Sequence, residues 1–542
     1  MPLLKFPLPE PLPLPDLPRP LPPPLDRLPI PLPRPRPLPD LLPIPLPWFK
    51  ECTPKILVVT DGLNFSEAGS FGLAYFVDTL RANLIHGMPP IVVTALFNPA
   101  PAAALAYDAA RQHIDNFKFT DPTHGVRKSR YDIVFLLGIN SSSPKLVDEA
   151  GALDAMTAFM QGGGGVFATG DHDELGAALC ADLPRVRNMR NWRIGPPPRG
   201  VPSAGGVDRL TTNLPGADDV YAFADQSDAV PQRLYPNFRT TAGGVGFAHP
   251  LLQVPGSSRA IEVFPDHPHE GECFVPTDLA TTLADGSPEW PAGAAGTRPA
   301  PEMVALTMSY GNAFPGKAAV TPRSFVAVCA YDGQAANVGR VVTDATWHHF
   351  VNINIRPGNA ALSGRNLDDI RQYYKNLATW LMPKNVRYCR RYPWLITELM
   401  RYPLFEELSP LQRDQRDAQA LRQVGATVVA ALAARHTRAE VQALIDDALE
   451  EGLGVDARIR LQMQEREGGG IKADDVGLAA LGAVTLAVAD AANEVGPKTE
   501  LDGEKLFGPV GREASAQGAK AFITSARQNV KKLAALMDAI AS

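Results

Sequence analysis

The chain has 542 residues, of which 45% are hydrophobic and 20% are charged, as is ordinary for a globular protein. Its net charge of −6 argues against non-specific electrostatic binding to nucleic acid, which requires a basic surface. The five cysteines are widely spaced and form no CxxC motif, which is typical of free thiols in a reducing compartment, so we expect a cytoplasmic protein.

Residues 1–50 form a low-complexity segment in which proline alternates mainly with leucine. Because proline fixes φ and lacks a backbone N–H, helix and central strand are excluded, and an extended polyproline II tail is expected. The leucines make the segment more apolar than a solvated linker. A docking arm for a protein partner is therefore an alternative to a semi-rigid tail.

Buried-strand patterns alternate with helical patterns from residue 51 to about residue 384. Each strand is apolar on both faces, which is typical of a parallel sheet covered by helices on both sides. We therefore predict an α/β domain over residues 51–384. The strand patterns are KILVVT (55–60), PIVVTALF (90–97), YDIVFLLG (131–138), GVFATG (165–170), SRAIEVF (258–264), SFVAVCAYD (324–332) and GRVVTDAT (339–346).

Strand signals stop after residue 385. Thr437 and Glu440 have the spacing of a capping box, and helical patterns cover residues 473–494 and 513–541. The uncharged helical stretch 476–489 is too short to span a bilayer and is interpreted as a buried helix, so we expect no membrane contact. The sequence predicts an all-α C-terminal domain over residues 385–542.

Polar residues follow the predicted strands where each strand ends. In open parallel sheets, ligands bind beyond the carboxyl ends of the strands, so these residues are candidates for a site. No P-loop, dinucleotide fingerprint or GxSxG elbow accompanies them. The candidates are Asp61, Asn140, Asp171, His172, the segment 266–272, His348 and His349.

A set of motifs occurs in a fixed order along the α/β part of the chain. They are KILVVTDGLNFSEA, YDIVFLLG, GGGGVFATGDHDE with His172, His249-Pro250, Glu262, Gly339-Arg340-Val341, His348 and the helix that reaches Trp380. Together these motifs resemble the ThuA-like family of the class I glutamine amidotransferase-like superfamily, and the resemblance covers about residues 54–383. It implies a flavodoxin-like, doubly wound, mostly parallel sheet without functional glutamine amidotransferase chemistry, and a role in carbohydrate metabolism.

His172 and His348 are the candidate proton-transfer residues, because imidazole can act as acid or base at neutral pH. Glu262 and Asp171 would orient these histidines or act as the partner base. The structural alternative for His172 is local bonding at a helix N-terminus.

Asp61, Asn140 and His349 are the candidate substrate-binding residues. Adjacent residues on a strand point to opposite faces, so only one of His348 and His349 easily faces a pocket. We favour His348 for the site, which leaves packing or a backbone hydrogen bond as the alternative for His349. Asp61 can equally be a turn-former before Gly62.

His267 and His269 have an i, i+2 spacing that places both on one face of an extended segment. With Glu272 they could hold a divalent metal such as Zn, Mn or Fe. Pro265 and Pro268 mark an irregular loop, so substrate hydrogen bonding or no role at all is the alternative.

The sequence thus predicts an enzyme that acts on a small polar substrate, a carbohydrate derivative, as an isomerase, lyase or hydrolase. The competing hypothesis is a catalytically inactive α/β platform in a scaffold protein. In that case the Pro-rich arm and the helical domain would make protein contacts, and a homo-oligomer is compatible with either hypothesis.

Overall fold

A computed structural model describes most of the chain between residues 53 and 528. The Pro-rich segment 1–50 lies outside the described part, as do His172, His267 and His269. The described residues are 53–83, 89–171, 174–192, 231–240, 246–265, 272–293, 296–309, 323–358, 365–400, 417–453, 472–495, 511–525 and 528.

The described residues contain an eleven-stranded mixed sheet and a separate two-stranded one. The strands are β1 (Lys55–Thr60), β2 (Ile91–Phe97), β3 (Ala106–Asp108), β4 (His113–Phe117), β5 (Ile133–Leu137), β6 (Gly165–Thr169), β7 (Gln232–Pro236), β8 (Phe238–Thr240), β9 (Gly246–Ala248), β10 (Val263–Phe264), β11 (Glu302–Ser309), β12 (Arg323–Tyr331) and β13 (Val341–Asp344).

The order in the large sheet is β10-β7-β11-β12-β13-β6-β5-β1-β2-β4-β3, and β8 pairs with β9. The centre, from β13 to β4, is parallel. Both flanks are antiparallel. The chain is therefore an α/β protein with a large mixed sheet, as its alternating pattern predicts.

Helices cover both faces of this sheet. They are α1 (Ala74–Ala82), α2 (Ala152–Gln161), α3 (Ala177–Cys180), α4 (Val186–Met189), α5 (Asn352–Ile355), α6 (Asn366–Leu381), α7 (Lys384–Met400), α8 (Ala418–Ala433), α9 (Arg438–Leu453) and α10 (Ala473–Val495), followed by helical residues 511–525. None of the described helices combines the length and apolar character needed to cross a membrane.

Strand β1 shows why the central sequences form a sheet that is buried on both sides. Successive side chains of a strand point to opposite faces. Ile56 and Val58 pack with α1 and α6 in one core cluster, whereas Leu57 and Val59 pack with α2 in another. All four side chains are fully buried, so each face of the strand contributes to a core.

The helices after residue 384 share a third core cluster, which includes Leu421, Leu444 and Leu481. The predicted capping box is present, because the Thr437 hydroxyl and backbone N–H donate to Glu440 while the Glu440 N–H donates to the Thr437 hydroxyl. These helices also contact the α/β part, since the backbone N–H of Ala439 donates to Oε1 of Gln253 at 2.8 Å.

The cysteines differ from the sequence-based expectation in one respect. Cys180, Cys273 and Cys329 are free, as expected, and all three are buried. Cys389 in α7 is disulfide-bonded, so the expectation of free thiols alone is wrong for this residue. Disulfides are typical of oxidising compartments, and the cytoplasmic location stays a prediction.

Candidate functional site

Four neighbouring parallel strands end at the same level of the sheet. Thr60 pairs with Leu137, Leu137 pairs with Thr169, and Thr169 pairs with Asp344. The residues that follow these strand ends therefore meet at one edge, which is where ligands bind in open α/β sheets. This edge carries the polar side chains that the sequence singles out after β1, β5, β6 and β13.

Asp171 and His348 form a buried pair at this edge. Nε2 of His348 lies 3.2 Å from Oδ2 of Asp171, and the two residues are only 7% and 1% exposed. Thr346 bonds to both members of the pair. Its hydroxyl donates to Oδ1 of Asp171 at 3.1 Å and accepts from the backbone N–H of His348 at 3.2 Å. The carboxylate therefore orients the imidazole, an arrangement suited to acid–base chemistry.

Arg190 forms hydrogen bonds to the ends of β6 and β13 next to this pair. Its buried guanidinium donates to the carbonyl oxygens of Asp171, Asp344 and Ala345. Buried carbonyl groups need a donor, and Arg190 supplies several from one rigid group. Sequence patterns could not predict this role, since Arg190 lies in a stretch without a strand or helix pattern.

An aromatic rim lies next to the pair. The ring of Trp347 stacks on His348, with centroids 4.7 Å apart and planes at 14°. Phe71 contacts Trp347 edge-on at 5.8 Å and is 44% exposed. Ile353, which is 39% exposed, lies beside Phe71 because its N–H donates to the carbonyl of Ser70. The accessible surface around His348 is thus partly apolar.

Asp61 and Asn140 hold two of the strand ends together. The Asp61 carboxylate accepts backbone N–H groups from Ile139 at 2.6 Å and Asn140 at 3.2 Å, and the Asn140 side-chain amide donates to the Asp61 carbonyl at 2.6 Å. Burial raises the pKa of Asp61 to about 6, although these N–H donors oppose the shift. A carboxylate with such a pKa can exchange protons near neutral pH.

No family model, curated protein or solved structure matches this chain. The ThuA-like resemblance therefore stays a prediction based on the matched residues.

His349 is enclosed in the protein and does not line the edge. Its Nε2 lies 3.0 Å from Oδ2 of Asp344, which also accepts the Tyr373 hydroxyl at 2.7 Å, and Phe264 packs on its ring at 4.3 Å. The three polar residues are fully buried. Such a position fits the packing alternative for His349 rather than contact with a substrate.

Glu262 lies on the antiparallel flank of the sheet. Its backbone carbonyl accepts from the N–H of Leu234, and its half-exposed carboxylate lies 3.8 Å from Arg233. Among the described residues, no contact joins Glu262 to Asp171 or His348. The structure therefore separates Glu262 from the pair that it was expected to orient.

His249, the histidine of the matched His-Pro pair, is buried and contacts other groups of the protein. It is 1% exposed, its Nδ1 accepts the N–H of Leu251 at 3.2 Å, and its ring contacts Trp380. Burial lowers the pKa of His249 below the usual value, which favours the neutral imidazole. This histidine caps a short turn rather than joining the candidate site.

The structure describes only one of the three residues that were predicted to bind a metal. Glu272 is buried, and its carbonyl accepts the N–H of Asn191 next to Arg190, whereas His267 and His269 lie outside the described part. Across the residues described here, no group of three or more His, Cys, Asp or Glu side chains is arranged to hold a metal ion.

Proposed function

We propose that the protein is an enzyme that acts on a small polar substrate, a carbohydrate derivative, at the carboxyl edge of its parallel strands. The Asp171–His348 pair carries the proposal, because it places an imidazole oriented by a carboxylate at the edge of the parallel strands where ligands bind in open α/β sheets. The ThuA-like resemblance and a flavodoxin-like fold are part of this proposal.

In the proposed reaction, His348 takes a proton from the substrate and later returns it. Removal of a proton from a hydroxyl-bearing carbon next to a carbonyl group leaves an enediolate. The hydroxyl proton moves to the former carbonyl oxygen, and return of the carbon-bound proton to the former carbonyl carbon gives an isomer. The negative Asp171 stabilises the imidazolium that forms in between. Hydrolysis is the other reaction class compatible with this pair, with His348 accepting a proton from water.

Asp61 is a second proton-transfer candidate at the same edge, since its pKa of about 6 allows both protonation states near neutral pH. His172 keeps its predicted catalytic role on the sequence pattern alone. Glu262 has no part in the proposed chemistry because its carboxylate faces Arg233. A divalent metal at His267, His269 and Glu272 stays a proposal that metal analysis of the purified protein tests.

A nucleophilic thiol mechanism is not proposed. Cys180, in the helix after the β6 turn, is fully buried, and burial raises its thiol pKa well above the usual value. A nucleophile must be a thiolate, and this environment favours the neutral thiol. That supports chemistry different from that of glutamine amidotransferases.

The experiment measures proton exchange directly. The protein is incubated in deuterated water with a panel of aldoses, ketoses and sugar acids, and NMR follows the loss of the C–H signal next to the carbonyl. Nitrophenyl glycosides and esters test hydrolysis in parallel. For a substrate found this way, His348→Gln and Asp171→Asn should each lower the rate by about 100-fold or more.

The matched control is His113→Gln. His113 belongs to another His–Asp pair, with Nε2 3.3 Å from Oδ1 of Asp115 on β4. This variant should keep the full rate, and thermal melts should show that all three variants are folded. Turnover that survives in a folded His348→Gln variant would contradict the proposal.

A folded protein that processes no member of the panel would favour the inactive platform instead. Size-exclusion chromatography after deletion of residues 1–50 then tests the scaffold hypothesis. Loss of a complex or of a homo-oligomer would support a docking role for the arm.

A further inference from the structure

A cavity of about 410 Å³ lies at the edge of the parallel strands opposite to the candidate active site. It opens beside Lys55 and Ile91, the first residues of β1 and β2, which are direct neighbours across the two strands. The candidate active site lies beyond the other ends of these strands. The remaining lining residues are Val93, Tyr107, Thr123, His124, Ser129, Arg130 and Tyr131.

The lining of this cavity is cationic. It contains Lys55 and Arg130, and no Asp or Glu occurs among the described lining residues. In the described part of the chain, no ion pair or side-chain hydrogen bond engages Nζ of Lys55. Its ammonium group is therefore available to an anion in the cavity.

Two carboxylates lie close by, but both are used by protein donors. Asp121 accepts the backbone N–H groups of Thr123 at 2.9 Å and His124 at 2.6 Å. Asp132 accepts the backbone N–H of Lys55 at 3.0 Å and Nζ of Lys128 at 3.1 Å. Lys128 thus has a carboxylate partner, whereas the ammonium group of Lys55 does not.

The protein holds Arg130 and Tyr131 in place. The Arg130 guanidinium donates to the carbonyl oxygens of Gly125 at 2.8 Å and Pro122 at 3.1 Å. The Tyr131 hydroxyl donates to the carbonyl of His124 at 3.0 Å. Because these contacts fix the side chains before a ligand arrives, little conformational freedom is lost on binding.

One side of the cavity is apolar. Ile91 is 43% exposed and Tyr107 is 39% exposed, and the Tyr107 ring packs against His124 at 4.6 Å. Exposed large apolar side chains next to the cationic groups of Lys55 and Arg130 favour a ligand with a charged part and an apolar part. The charged part would meet Lys55 and Arg130, and the apolar part would cover Ile91 and Tyr107.

We propose that this cavity binds a small organic anion that carries a carboxylate or phosphate group on an apolar ring or chain. The volume suits a ligand of that size, since small-molecule sites typically have about 300–1,000 Å³. The proposal is independent of the reaction at the other edge of the sheet.

The test uses four probes with the full-length protein: benzoate, acetate, inorganic phosphate and neutral benzyl alcohol. Binding is followed by amide NMR shifts of residues 123–131 and by calorimetry. Benzoate should bind at least tenfold more tightly than acetate or benzyl alcohol, because only benzoate offers both parts. Phosphate that binds as tightly as benzoate would overturn the apolar half of the proposal.

Lys55→Gln should weaken benzoate binding about tenfold, the loss of roughly one charge-assisted contact. The matched control, Lys128→Gln, removes a neighbouring lysine that already has a carboxylate partner and should leave the affinity within about twofold. Equal affinities in the two variants would overturn the proposal, as would the absence of benzoate binding at millimolar concentration. Tyr107→Ser should weaken benzoate but not acetate.

Discussion

Nε2 of His348 lies 3.2 Å from Oδ2 of Asp171, although 177 residues separate the two along the chain. The register of β6 and β13 explains this contact, because Thr169 and Asp344 pair at the last position of the two strands. Beyond the strand ends, the N–H of Trp347 donates to the carbonyl of Gly170, and this bond keeps the two segments side by side. A short 3₁₀ turn, His348–Phe350, brings the imidazole over the carboxylate.

The first prediction concerns the stability of the protein as a function of pH. The folded pKa of Asp61 is about 6, above its ordinary value of 3.8, so between these values the native state holds a proton that the unfolded state has released. The free energy of unfolding must then fall as pH rises from about 4 to about 6. Two pKa units correspond to at most about 3 kcal/mol.

Asp61→Asn should remove this contribution. The amide oxygen can still accept from the N–H groups of Ile139 and Asn140, but it carries no charge. We expect the variant to match the wild type at pH 4 and to be more stable by about 1–3 kcal/mol at pH 7. Urea denaturation at both pH values measures the difference, and an equal offset at the two pH values would contradict the assignment.

The buried Asp344 cluster gives the second prediction. The Tyr373 hydroxyl donates to Oδ2 of Asp344 at 2.7 Å, and His349 contacts the same oxygen atom. Tyr373→Phe removes one donor from a carboxylate that water cannot reach, so it should lower the free energy of unfolding by about 2 kcal/mol.

Tyr107→Phe is the matched control for this hydroxyl deletion. The Tyr107 hydroxyl donates to Gln112 on the exposed surface, and its loss should cost less than about 0.5 kcal/mol. Denaturation midpoints of both variants at one pH compare the two sites. Equal losses would mean that Asp344 does not depend on the Tyr373 hydroxyl.

Local sequence patterns predicted the strands that build the candidate site. The apolar runs of β1, β5, β6 and β13 follow directly from the sequence, and the rule for parallel sheets then brings Asp61, Asn140, Asp171 and His348 to one edge. These strands are buried on both faces, so their apolar runs can be recognised without knowing which segments pair with them.

The antiparallel flank could not be predicted in the same way. The run SRAIEVF suggests a seven-residue strand, yet only Val263–Phe264 forms a strand, apart from an isolated bridge between Ala260 and Gln253. The partner strand β7 lies in a stretch that has no clear strand pattern. Pairing between distant segments leaves no periodic signal in either one. For that reason the separation of Glu262 from His348, and the bonds of Arg190 to the carbonyl groups at the ends of β6 and β13, became visible only in the structure.

A crossing of glycine backbones beside the candidate site gives the third prediction. A Cβ atom at Gly138 would lie 2.6 Å from the Cα of Gly176, so at least one of the two backbones must shift. Gly138→Ala should lower the free energy of unfolding by about 3 kcal/mol. Because this contact joins the ends of β5 and the start of α3, the substitution should also disturb the edge at Asp171.

Gly163→Ala is the matched control, because it tests backbone strain without steric overlap. Gly163 has φ of +89° but no atom within 4 Å of an added Cβ. Only the left-handed conformation is then penalised, at about 1 kcal/mol. Chemical denaturation of both variants checks the order, and a larger loss at Gly163 than at Gly138 would show that the crossing can relax.

The last prediction concerns Asn352, which holds the loop that carries Phe71. Its side-chain amide is fully buried and donates to the carbonyls of Ser66 at 2.7 Å and Gly69 at 2.9 Å, while its oxygen accepts the N–H of Tyr75 at 3.3 Å. Asn352→Ala leaves these groups without their partner and should let the loop open locally.

Hydrogen exchange measured by NMR can detect this opening. The amides of Gly72 and Leu73, which donate to carbonyls within the loop, should exchange about tenfold faster or more in Asn352→Ala, whereas the β5 amides should keep their rates. Asn98→Ala removes a comparable side-chain bond from another loop and should change neither set. Because Phe71 rests on Trp347 beside His348, a loosened loop should raise KM more than it lowers kcat, and unchanged exchange at Gly72 and Leu73 would show that Asn352 is not what holds this loop.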